Sequence, residues 1–69
     1  MYKLIKDIQG NVLRMVLRIS DNTFIPFDPA NTDFQTFKAQ INADEAQLED
    51  ADGNPMTAEE AKQFVASLP

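Results

Sequence analysis

The side chains able to do chemistry in this chain are almost all carboxylates. Eleven Asp and Glu stand against six Lys and Arg, with no histidine and no cysteine. The chain therefore has no thiolate nucleophile, no disulfide, no soft metal ligand and no side chain that titrates near neutrality unless perturbed. Ser20 and Ser67 have no imidazole to activate them. Asp50-Ala51-Asp52-Gly53-Asn54 invites a calcium reading. In the register of a helix-loop-helix calcium site, Asp50 and Asp52 take the third and fifth positions, Gly53 the sixth and Glu59 the twelfth. The first position then falls on Leu48, which offers no carboxylate, and the eighth on Pro55. A turn with solvated acids around a glycine accounts for the same residues more simply. A glycosidase-like carboxylate pair would need two carboxyls about 5 to 9 Å apart in a cleft, one made less acidic by burial. A chain of 69 residues has little depth for such a cleft, so we expect no enzyme, no cofactor and no metal.

The elements that position these groups are legible from hydrophobic period. Leu13, Met15, Leu17 and Ile19 alternate with Arg14, Val16 and Arg18, the pattern of a strand with four apolar side chains on one face and two guanidinium groups on the other. Tyr2 to Ile8 is a second strand, joined to the first through Gln9-Gly10-Asn11, where glycine can take a positive φ. After the turn signal Ser20-Asp21-Asn22, Thr23 to Phe27 forms a third run, and Pro26 confines it to an edge because it has no N–H to donate. Phe34, Phe37 and Ile41 then recur at helical spacing, which predicts a helix over 32–42, capped by Asn31 or Thr32 with Asp33 in its first turn. Residues 43–52 read as a loop or a short strand. Thr57 followed by Glu60 is a capping box, and Ala61, Phe64, Val65 and Leu68 make an apolar stripe over 58–68. The expected fold is a single α+β domain, residues 1–69, with a three-stranded antiparallel β-meander followed by two short helices packed on one face. The five phenylalanines are expected in its core.

Charge narrows the partners. The net charge is −5 and the pI about 4.3, which opposes a phosphate-tracking surface and argues against nucleic acid. Residues 1–27 hold four bases against two acids, whereas 28–69 hold two lysines against nine acids. Seven acids and no base lie between Asp44 and Glu60, a solvated face or a surface for a basic partner. The longest apolar stretches are broken by Arg14 and Arg18, and the N-terminal residues lack a long apolar run and a small-residue cleavage site. The expectation is a soluble chain without signal peptide, residing inside a cell and away from membranes.

Arg14 and Arg18, four residues apart on a strand, project from the same side about 13 Å apart and flank Val16. That spacing describes either a flat, partly apolar contact patch or an ordinary solvent-facing sheet. The edge strand, with Phe24 and Pro26, is the second candidate contact.

Residues Ile25-Pro26-Phe27-Asp28-Pro29-Ala30-Asn31-Thr32-Asp33-Phe34-Gln35-Thr36-Phe37 resemble a segment of short proteins of tailed bacteriophages and prophages. There an IP-x-DP-x-N-x-DYQ-x-Y run follows a β-hairpin, in a group described as tail assembly chaperones or tail-associated proteins. The likeness spans residues 12–41, and 52–60 also look phage-like. Phe34 and Phe37 replace the usual tyrosines, and Gln40-Ile41 stands where a tryptophan is common. The resemblance implies a virion or host-cytoplasm location and partners among other phage structural proteins, or self-association. On this basis the expected function is a virion-associated or tail-assembly protein that works by binding, with Arg14, Val16, Arg18 or the strand bearing Phe24 and Pro26 at the contact. The alternative is a small acidic inhibitor that mimics nucleic acid in the groove of a basic host protein.

Overall fold

Which side of the central strand faces inward decides where every other side chain goes. In the computed structural model, which describes all 69 residues, Tyr2–Lys6 (β1), Val12–Arg18 (β2) and Thr23–Pro26 (β3) form the antiparallel meander, with β2 in the middle. Thr32–Asn42 (α1) follows, then the two-residue strand Leu48–Glu49 (β4) and Ala58–Ala66 (α2). β4 pairs parallel with β1, so the sheet has four strands in the order β3-β2-β1-β4 rather than three. The architecture is α+β, as the periods predict.

The core is one cluster. Leu4, Val16 and Ile25 form a row across the sheet, since Leu4 pairs with Val16 and Val16 with Ile25. Tyr2 and Leu48 extend this buried layer toward β4, and Phe34, Phe37, Ile41, Ala61 and Val65 close it from the helices. Both helices therefore cover the same face as Val16. The sequence-based expectation that Leu13, Met15, Leu17 and Ile19 point into the core is reversed: Val16 is fully buried, and none of those four packs against the core cluster.

Local chemistry explains where the elements begin and end. Asn31 accepts the Phe34 N–H at 3.0 Å and starts α1. The Thr57 and Glu60 capping box is complete, with the Glu60 N–H donating to Thr57 Oγ1 and the Thr57 N–H to Glu60 Oε1. Gly10 sits at φ +87° in the β1–β2 connection, where the Asp7 carboxylate accepts the N–H groups of Gln9 and Asn11. The strand ends at Lys6, before Ile8, which stands fully exposed in that connection.

Candidate functional site

Alternation from the buried row sets the composition of the opposite face. Met15 pairs with Pro26, and Leu17 lies between Lys3 and Phe24. These residues are one position away from Leu4, Val16 and Ile25, so they point away from the helices. At Ile5 and Leu13 the β1–β2 register shifts between the pairs Leu4–Val16 and Lys6–Val12, so simple alternation ends there. Alternation over Met15, Leu17, Phe24 and Pro26 leaves an apolar sheet face that neither helix covers, with Phe24 58% exposed and Met15 and Leu17 half-buried by their neighbours alone. In a chain with only five phenylalanines, leaving one this open is a conspicuous departure from a core role. Phe27, Phe34, Phe37 and Phe64 instead form a linked aromatic group, with Phe27 and Phe34 centroids 5.5 Å apart and Phe27 and Phe64 6.0 Å apart.

The five contact residues expected from sequence thus separate. Phe24 and Pro26 lie on the open face, together with Met15 and Leu17. Arg14, Val16 and Arg18 do not form an outward patch. They share the helix-covered side, and Val16 has no exposed surface with which to meet a partner. Arg14 remains exposed at the periphery. Arg18 is engaged within the molecule: Nε and Nη2 donate to the Asp21 carboxylate at 3.0 and 2.8 Å, and Nη1 donates to Asp33 at 3.3 Å. The bond to Asp21 raises the affinity of the Arg18 guanidinium for its proton and brings the Asp21 carboxyl down to about 2. The signal for the open face was present as the apolar set on β2, but a period alone does not say which face the helices occupy.

The acidic loop is organised by its own backbone. Asp50 Oδ1 accepts the N–H groups of Asp52 and Asn54, both at 2.9 Å, and these bonds lower the Asp50 pKa, the one from Asn54 most. Gly53 takes φ +88°, and Asp52 faces Lys6 at 3.3 Å. This is the geometry of a turn around aspartate, and no three acidic side chains converge there or elsewhere as a metal site would require. Beside it, a cavity of about 170 Å³ is lined by Asp44, Ala46, Leu48, Met56 and Ala61. It is smaller than the roughly 300 Å³ at which small-molecule pockets begin.

Tyr2 is the one titratable side chain set into the core layer. Its hydroxyl donates to Gln40 Oε1 at 2.6 Å, its ring meets Phe37 edge-on at 4.8 Å, and burial pushes its pKa up. Those contacts tie β1 to α1. No helix is long and apolar enough to cross a membrane. Comparison with protein-family models, with curated proteins and with solved structures finds no match to this chain.

Proposed function

We propose that this chain is a non-enzymatic bacteriophage structural or assembly protein, virion-associated in the tail or in tail assembly, that acts by binding other proteins. The observation that carries the binding role is the open sheet face: Met15, Leu17, Phe24 and Pro26 are adjacent on β2 and β3, and no element of the chain covers them. Contiguous apolar surface of this kind on a small domain marks an interaction site. The phage setting is supported by the resemblance over residues 12–41, carried chiefly by 25–37, and to a lesser extent by that of 52–60. The acidic stretch lends less support to an inhibitor of a basic host protein. Within it Asp44 faces Lys62 at 3.0 Å, Asp52 faces Lys6, and Asp50 is taken up by its own turn, so the free charge is discontinuous.

Mass spectrometry of purified particles and of assembly intermediates from the phage that encodes the chain tests this role. The chain should be recovered with tail proteins, and Leu17→Glu should remove it while leaving the circular dichroism spectrum of the purified protein unchanged. Its absence from both particles and intermediates, together with salt-sensitive capture by a basic host protein, would overturn the structural role in favour of the inhibitor.

A further inference from the structure

The cavity between β4 and the start of α2 lies apart from the open sheet face, and its size, wall and rim each restrict what can fill it. Leu48 and Ala61, both buried, form its floor, with Met56 half-buried beside them. Asp44, Gln47 and Ala58, all exposed, form its mouth. An apolar cavity of roughly 150 Å³ takes up a molecule the size of benzene, and this one holds about 170 Å³. One aliphatic or aromatic side chain fits that space, whereas a whole metabolite does not. Met56, unbranched and adaptable, lets the wall adjust to the side chain that enters.

Charge sets what must flank that side chain. Seven acids and no base lie between Asp44 and Glu60, the stretch that supplies all of the lining except Ala61. Asp44 stands at the mouth itself and is paired with Lys62 at 3.0 Å. Glu45 follows it in the chain and Glu59 follows Ala58. Both are exposed, and neither takes part in any of the four ion pairs. Glu59 and Glu60 also offset the positive end of the α2 dipole, which begins at the mouth. The rim is therefore negative, and a cation beside the entering side chain is attracted where a carboxylate is repelled.

An added strand is not the route in. The free side of β4 is already occupied, since Glu49 bridges to Pro55 and the Met56 N–H donates to the Leu48 carbonyl at 2.8 Å. A partner must enter by its side chain, and the exposed Gln47 amide at the mouth can bond one of its peptide groups.

We propose that this cavity is a docking site for a basic segment of another protein, which inserts one leucine-sized apolar side chain flanked by Lys or Arg. An anchor of one side chain suits a weak, reversible contact. It adds to the open sheet face and does not depend on it. It also needs only a few charges around one pocket, unlike the continuous acidic surface of a nucleic-acid mimic.

Titration of the isotope-labelled full chain with the end-blocked peptide Lys-Lys-Leu-Lys-Lys, followed by amide chemical shifts, tests the site. Saturable shifts should centre on Ala46, Leu48, Ala58 and Ala61, with a dissociation constant of about 1 mM or below. Serine in place of the central leucine should weaken binding about tenfold, and glutamate in place of the lysines should abolish it. Ala58→Leu, which narrows the mouth at an exposed position, should weaken binding about tenfold. Glu45→Gln combined with Glu59→Gln should weaken it about threefold and flatten its dependence on salt. Leu17→Glu, on the open sheet face, should bind the peptide as the wild type does. Circular dichroism and a cooperative melt of each variant separate loss of binding from loss of fold.

No shifts up to about 5 mM peptide would overturn the proposal. So would shifts indifferent to the central residue, which report charge alone, or shifts that survive Ala58→Leu in a folded protein. Shifts at the cavity that grow with the concentration of the chain by itself would overturn it in favour of a second copy as the occupant. A chain absent from phage particles and intermediates whose cavity still takes the leucine peptide would sustain this site and remove the assembly role. Recovery with tail proteins without peptide binding would do the reverse.

Discussion

Arg18 joins parts of the chain that are distant in sequence. Its guanidinium bonds twice to Asp21 and once to Asp33, tying the β2–β3 turn and the first turn of α1 to one cation. The Arg18 hydrogen bond is the main reason that the Asp21 carboxyl sits at about 2 rather than its ordinary 3.8. A carboxyl that is more acidic in the folded state binds fewer protons there than in the unfolded chain. Its stabilisation is therefore complete above the ordinary carboxylate range and is lost as pH falls through the folded pKa of about 2. Asp7 and Asp50 are shifted down in the same direction, chiefly by the backbone N–H groups of Asn11 and Asn54. Acidification from about pH 4 to about pH 2 should thus destabilise the protein through all three groups. Asp21→Asn should lower stability at neutral pH and make the loss over that interval shallower. Urea melts at several pH values read both effects, and identical slopes for variant and wild type would mean that Asp21 contributes nothing to the acid dependence.

The helices show what a sequence makes plain at the level of elements. α1 occupies the 32–42 span expected from Phe34, Phe37 and Ile41, and α2 starts where Thr57 and Glu60 place its cap. Such signals are local, so a short stretch of residues contains all of their physics. Thr57→Ala removes the acceptor for the Glu60 N–H and should cost about 1 kcal/mol, or about 4–8 °C in the melting midpoint of a domain this size. A change below about 1 °C would show that packing of Ala61 and Val65, not the cap, holds the end of the helix. The sheet is different. The alternation on β2 locates the strand, but both of its faces offer apolar side chains, and the burial of Val16 depends on where α1 and α2 come to rest. Arg14 and Arg18 can flank a buried Val16 because long side chains carry their charge out past the apolar layer. The parallel pairing of Leu48–Glu49 with Tyr2–Lys3 was equally unreadable, since two residues have no period and the partner lies more than forty positions away. Phe24 and Pro26 stand on the exposed side of their strand because Ile25 is the residue the helices bury, whereas Arg14 and Arg18 lie on the side opposite to the one expected, with the strand that bears them.

At the scale of the whole molecule, charge and apolar surface are segregated. The outer sheet face is neutral, and the acids crowd into the loops and helix starts of the opposite half, with seven between Asp44 and Glu60. Four ion pairs offset part of this: Lys6 with Asp52, Arg18 with Asp21 and with Asp33, and Lys62 with Asp44. All involve side chains open to solvent, where an individual pair contributes about 0–1 kcal/mol. Salt screens these attractions and the general repulsion alike, with a Debye length that shortens from about 30 Å at 0.01 M to about 8 Å at 0.15 M. The pairs are in contact at 2.8 to 3.3 Å, well inside either length, whereas the acids repel one another across a molecule whose principal extents are 31, 26 and 25 Å. Screening therefore removes more repulsion than attraction. Raising sodium chloride from about 10 to about 150 mM should lift the melting midpoint by about 2–5 °C. A midpoint that falls with salt would mean that the lysine and arginine contacts outweigh the long-range repulsion, and that the acidic half of the molecule is held together by its few cations.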